Sequence, residues 1–365
     1  MVKTTGSRGL HLWWWGLAAL PLGFLGLFFL WPLAAVMVRG LTDGGALDLA
    51  GMAAVLAEPR TLETVRTTLL LASVGTLGSV TLGVPAAYAL YRLRWRGQTV
   101  VRALVTVPFV LPTIVVATAF SALLGRSGPL GFMRLDQSVW AIVAALVFYN
   151  VSVVVRVVGG AWQALDGRPA DAARTLGASR LRAWAEITLP ALWPAVGSAA
   201  AVAFLFCATS FGVVLVLGGT RVRTVETEIY LQVNQFLDLR AASVLALVQL
   251  LFVALALGAA AWARGRMDRT TRGADGTRPA LRSDVPVVAL ALFPALILLA
   301  APLTALVERS LRTPSGHGLD HYVALFNPPQ RAVLAVPVWE AAVNSLVTAA
   351  IAATIASALG VLVTY

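Results

Sequence analysis

Charge is scarce in this chain. Only 12% of its 365 residues are Asp, Glu, Lys or Arg, against 59% hydrophobic, whereas a soluble domain carries about a quarter charged residues. The mean hydropathy of +0.82 agrees with a polytopic membrane protein. A single cysteine, Cys207, excludes an internal disulfide and any C-x-x-C redox or metal site; its apolar surroundings give it a packing role. No G-x4-G-K-[S/T] phosphate loop occurs, so ATP hydrolysis would have to come from another chain. Asp and Glu are missing from the interiors of the apolar runs. Ion-coupled carriers usually keep an intramembrane carboxylate, so this absence argues against a secondary carrier. Three His and one Cys, with the acids in loops, do not supply the convergent groups of a membrane enzyme.

What the chain has instead is long hydrophobic runs. Eight are long enough to cross a bilayer, near 12–38, 64–91, 103–124, 139–158, 190–217, 241–263, 285–308 and 344–365. The fold class expected is all-α, with about eight transmembrane helices. Trp13, Trp14 and Trp15 open the first run as an interfacial belt. That run lacks a small-residue cleavage site and reads as a span rather than a signal peptide. Gly75, Gly78 and Gly83 in the second run allow close helix contacts, and Pro108 and Pro112 bend the third. With a cytoplasmic N-terminus, 17 of the 28 basic and 6 of the 17 acidic residues fall on the inner side. The whole net charge of +11 is then a positive-inside signature. It is not a nucleic-acid surface, which would need an exposed domain.

The most polar passage between two runs is Arg168 to Pro190, RPADAARTLGASRLRAWAEITLP. Asp171, Ala172 and Ala173 open a short helix, and Gly177 ends it by taking the left-handed conformation at lowest cost. Ser179 caps a second short helix, on which Leu181, Trp184 and Ile187 recur at helical spacing. Pro190 is expected to stop that helix where the chain re-enters the membrane. The spacing Asp171-Ala172-Ala173, three residues, Gly177, nine residues, Ile187-x-Leu189-Pro190 resembles the EAA loop of ABC importer permeases, E-A-A-x3-G-x9-I-x-L-P. Asp in place of Glu is the one departure, and it keeps the carboxylate. The resemblance implies that this elbow is the coupling helix seated in a groove of a cytoplasmic ATPase. In that mechanism nucleotide-driven movement of the ATPase pair rotates the flanking spans.

A second signal is internal repetition. WPLAAVMVRGL at 31–41 aligns without gaps to APLTALVERSL at 301–311. Glu63 then matches Glu340, Thr68 matches Ser345, Leu82-Gly83-Val84 matches Leu359-Gly360-Val361, and Tyr88 matches Tyr365. The expected organisation is a first permease repeat over 1–263, a cytoplasmic linker over 264–284 without periodicity, and the start of a second repeat over 285–365. By the repeat, an intact second half would continue for roughly another 180 residues, so the sequence reads as the front part of a longer permease. The alternative is a pair of such chains, with the last two spans as remnants.

VPFVLPTIVVATAFSALLG at 107–125 and SFGVVLVLGGTRVRTVETEIY at 210–230 are similar to the fused, double-length permeases that import iron(III) or thiamine, and LDLRAASVLALVQLLF at 237–252 resembles the thiamine type rather more closely. The resemblance implies a two-repeat pore, a pair of ATPase subunits that bind ATP in place of this chain, an extracytoplasmic substrate-binding protein, and a site in the inner or plasma membrane. Of the polar residues within spans, Asn150 and Ser210 are the foremost candidates for lining the path. His317 and His321 flank Asp320 in an outer loop; Gly318 between them breaks a helical pairing, and they read as loop residues rather than metal ligands.

Overall fold

The computed structural model describes residues 19, 21–267, 277–314, 316–326 and 337–364. The tryptophan belt at 13–15, Lys3, Arg8, linker residues 268–276 and Tyr365 lie outside these residues. The helices in chain order are α1 (Pro21–Leu41), α2 (Leu49–Ala57), α3 (Pro59–Ala87, winding on to Arg92), α4 (Gln98–Thr106), α5 (Thr113–Leu124), α6 (Val139–Ala164), α7 (Arg168–Thr175), α8 (Arg180–Ala183), α9 (Leu189–Ala208), α10 (Gly212–Gly218), α11 (Val225–Leu231), α12 (Leu239–Met267), α13 (Val285–Leu311), α14 (Asp320–Ala324) and α15 (Val338–Thr364). Three two-residue strand pairs accompany them: β1 (Thr42–Asp43) with β2 (Ala46–Leu47), β3 (Leu93–Arg94) with β4 (Arg278–Pro279), and β5 (Arg312–Thr313) with β6 (Gly316–His317).

Among the described residues, seven helices are long and apolar enough to cross a membrane. An eighth span is counted when Gln98–Val110 and Thr113–Leu124, bent by 105°, are taken together. Within the described residues the apolar runs are helical, and the 103–124 run is bent where Pro108 and Pro112 require. Leu111 is held extended at φ −70°, ψ 139°, where the ring of a following proline pushes its neighbour. The 190–217 run is not one helix. It ends at Ala208 and restarts at Gly212.

The chain divides into two units, 49–309 and a second one of 1–48 with 310–365. In the larger unit α6 is the most enclosed span, with 78% of its apolar window buried. It packs against α3 and α9, and α9 packs in turn on α12. Small residues set the spacing. A Cβ on Gly78 would come within 2.7 Å of Val147, and one on Gly83 within 2.7 Å of Val154, so α3 approaches α6 with no room for a methyl group. Beside these contacts lie Leu71, Ala72, Leu146, Val151 and Phe148, all buried. A second cluster of Ala87, Val158, Trp162, Leu192, Ala195 and Ala199 extends the seam to α9.

In the smaller unit the helix–hairpin corners that follow the two aligned segments have the same form. Thr42 pairs with Leu47 and Asp43 with Ala46; Arg312 pairs with His317 and Thr313 with Gly316. Each corner is closed by the backbone N–H seven residues beyond the helix end. Asp48 donates to Leu41 O at 2.9 Å, and Gly318 donates to Leu311 O at 2.8 Å.

Substituting Gly83→Leu should force α3 off α6 and cost about 1–3 kcal/mol by overpacking. A lowered melting temperature of the purified protein in detergent, measured against Gly258→Leu on an open helix face, checks this.

Candidate coupling elbow and broken-helix path

The elbow is set by local chemistry. At the end of α6, Asp166 accepts from the Arg168 N–H at 3.0 Å, and Pro169 sits where α7 has no N–H to satisfy. Asp171 lies in the first turn, favourable against the helix dipole, and pairs with Arg174 at 3.5 Å. At the other end Gly177 has φ +95°. Its N–H donates to Arg174 O at 3.1 Å and the Ala178 N–H donates to Ala173 O at 3.0 Å, the two bonds of a Schellman turn. The Ser179 hydroxyl then accepts from the Arg182 N–H at 3.2 Å, as its position predicts.

From Arg180 the chain is helical without a stop to Ala208, which corrects the expected interruption at Pro190. A wide turn over Trp184–Thr188 takes up the irregularity, with the Leu189 N–H reaching back to Trp184 O. That shift in hydrogen-bond pattern accommodates a proline that has no N–H to give. Ile187 and Leu189 are half-buried on this helix, while Asp171, Ala172, Gly177 and Pro190 are exposed and Ala173 half-exposed. Leu176, at 89% exposure, is the most open large apolar residue of the elbow. The sequence reading passed over it.

The same end of the bundle holds the far side of the linker. Arg278 donates to both carboxylate oxygens of Asp284, at 2.7 and 2.9 Å, and to the Tyr88 hydroxyl at 3.0 Å. β4 runs parallel to β3, with Leu93 opposite Arg278. Residues 278–284, in the linker read from its lack of periodicity, are thus tied to the end of α3. The tie rests on a pairing across 190 residues, which no local pattern announces.

On the other side of the bundle's middle, two broken helices meet. α5 packs on α10, and a Cβ on Gly212 would come within 2.5 Å of the Thr113 hydroxyl. Backbone groups freed by a break in a membrane need new partners, and neighbouring helices supply them. Tyr149 of α6 donates to Leu111 O at 3.1 Å, and Gln249 of α12 donates to Ala208 O at 3.3 Å. Ser210 sits half-buried at the second break, beside Thr209, whose hydroxyl donates to Leu205 O. Asn150 does not face an open path. It is 2% exposed and donates to Leu146 O at 2.9 Å and to Cys207 Sγ at 3.3 Å. The two path candidates are therefore not brought together: one packs in the α6–α9 seam and the other marks a break.

An acid that the sequence reading left in a loop is in fact enclosed. Glu228 of α11 is 2% exposed. It lies 2.8 Å from Arg60 and 3.4 Å from Arg223, and accepts from Gln232 at 2.8 Å. The Arg60 contact is Coulombic, since that nitrogen is not aimed for a hydrogen bond. The nearby Thr224 and Thr227 cap α11 reciprocally, and the Val225 N–H donates to Thr68 of α3 at 2.9 Å. The Thr-x-x-Thr spacing was the available sign of a helix here. Glu226 on the same helix has its carboxyl pushed above the usual range by burial. Among the described residues no group of three or more His, Cys, Asp or Glu is placed to hold a metal ion. His317 is in β6 and His321 in α14, where its ring meets Arg312 O.

With this geometry in place, the comparison with known proteins is decisive. Residues 79–269 match the family described as binding-protein-dependent transport system inner membrane component. The chain belongs to that family. It is a multi-pass inner-membrane permease of an ABC importer that works with a binding protein. It is 30% identical to the sulfate transport system permease protein CysT of Salmonella typhimurium over 62% of this chain and 83% of that one. It is also 30% identical to the molybdate/tungstate transport system permease protein WtpB of Thermococcus kodakarensis, over 51% of this chain and 70% of that one. Its fold resembles a chain of a bacterial alginate ABC transporter crystallised with a pentasaccharide-bound periplasmic protein, with TM-score 0.58 and 16% identity, covering 74% of this permease and all of that chain.

Arg60→Ala should cost about 1–3 kcal/mol, because Glu228 loses a charge partner while staying enclosed. Thermal unfolding of Arg60→Ala, Glu228→Gln and the double variant checks it: the double variant should lose clearly less than the two single losses together.

Proposed function

We propose that this permease forms the translocation path for a small oxyanion of the molybdate–sulfate class, and that the Asp171–Pro190 elbow transmits ATPase movement to that path. The cargo reading is supported by the relatives, which are named for molybdate, tungstate and sulfate. The coupling reading is carried by one observation: the exposed elbow is continuous, through a single helix from Arg180 to Ala208, with the break beside Ser210. A push on the elbow therefore reaches the broken pair α9 and α10 without an intervening hinge. Asp171, Ala172, Ala173 and Gly177 shape the grip, and Ile187, Leu189 and Pro190 anchor it to the span. The N-terminus is cytoplasmic in this reading, which puts the elbow and its arginines on the inner side.

A second cargo reading, thiamine or iron(III), keeps one observation in its favour. The matching helix–hairpin corners at Leu41–Asp48 and Leu311–Gly318 fit the double-length organisation that the sequence resemblance implied.

Cells that depend on this permease and its partner subunits should accumulate radiolabelled molybdate or sulfate, and not thiamine or iron(III). The reverse preference would overturn the oxyanion reading. Gly177→Leu strains a left-handed residue by about 1–2 kcal/mol, without crowding, since nothing lies within 4 Å of its Cβ position. Uptake should fall at least about tenfold with normal membrane levels, while ATPase activity loses its response to the loaded binding protein. Unchanged uptake would remove the elbow from the mechanism.

A further inference from the structure

At the end of the bundle opposite the elbow, the loop between α5 and α6 folds into a compact, hydrogen-bonded form. Leu130 N–H donates to Leu123 O at 3.0 Å, Gly131 N–H to Gly128 O at 3.0 Å, and Arg134 N–H to Gly131 O at 3.1 Å. Arg134 and Gln137 both take positive φ, 53° and 51°, unfavourable for residues with a side chain. Gln137 lies against Gly219, in the turn that follows α10. The loop and this turn enclose a cavity of about 490 Å³ lined by Arg126, Gly131, Arg134, Asp136, Gln137 and Arg221. Among the described residues, no carboxylate lies within ion-pairing distance of any of the three arginines. Three arginines therefore line one cavity with a single acid, Asp136. Both flanking segments lead directly into α5 and α10, the two half-helices that meet at the breaks.

We propose that Arg126, Arg134 and Arg221 form an anion-binding vestibule that takes a small doubly charged oxyanion at the mouth of the path. Guanidinium is the group suited to this, because its planar fork offers parallel N–H donors to two oxygens of one anion. Asp136 and the carbonyl ends of α5 and α10 oppose the anion, and all three arginines are exposed. The vestibule thus binds weakly and reversibly, with strong salt dependence, as a site must when the anion has to move on. The inference rests on the oxyanion reading of the cargo.

The test uses the whole importer reconstituted in nanodiscs, with labelled sulfate and molybdate as probes in equilibrium dialysis at low ionic strength. Wild type should bind either anion, and Arg126→Gln/Arg134→Gln/Arg221→Gln should bind at least about tenfold less. Asp136→Asn should bind more tightly, a gain that loss of folding does not produce. Wild-type binding that the triple variant retains, or no binding by wild type at low salt, overturns the vestibule. So does a triple variant that keeps anion binding but loses stimulation by the binding protein, which would make these arginines a protein-docking surface. Uptake assays in cells separate the two readings. Oxyanion uptake with unaltered binding in the triple variant sinks the vestibule alone, and thiamine uptake without oxyanion uptake sinks the cargo reading.

Discussion

The close seam between α3 and α6 is the contact on which the rest of the larger unit stands. An apolar helix gains little from leaving lipid for protein, since hydrocarbon tails are as apolar as leucine, and so packing must supply the attraction. Gly78 and Gly83 let Val147 and Val154 come within a distance that any side chain would forbid. α9 closes over the same seam through Ala195 and Ala199. The 26 residues of α6, about 39 Å at 1.5 Å per residue, are thereby fixed as an axis. One end of that axis carries the Schellman-turned elbow and the other carries the arginine loop.

Fixing α6 also decides which helices can break. Tyr149 and Gln249 reach the carbonyls of Leu111 and Ala208, so the interruptions in α4–α5 and α9–α10 do not leave bare backbone in a dry interior. The half-helices beyond the breaks pack on each other, and each leads to a loop that frames the arginine cavity. α9 runs the other way to the elbow without interruption.

Much of this was readable in advance, because the signals were local. The apolar runs gave seven long helices and one bent pair among the described residues; Pro112 gave the bend; Gly177 and Ser179 gave the turn and cap of the elbow at the residues expected. Other readings failed for equally physical reasons. Pro190 was read as a stop, but a widened turn absorbs its missing N–H and the helix continues. Asn150 was a foremost path candidate, yet its amide donates to Leu146 O in its own helix and to Cys207 Sγ, 57 residues away. Glu228 looked like a loop acid because its charge partner Arg60 lies at the start of a different helix.

Hydropathy, proline, glycine and capping residues act on neighbours within a turn or two, and so the order of residues was enough to specify where helices run, bend and end. The placing of charged groups beside one another is different, because it depends on which surfaces meet. The enclosure of Glu228 by Arg60 and Arg223, the tie of Arg278 to Tyr88, and the gathering of Arg126, Arg134 and Arg221 around one cavity exist only once the helices have packed. Each joins residues that the chain keeps far apart, and no periodicity in the sequence encodes such distances.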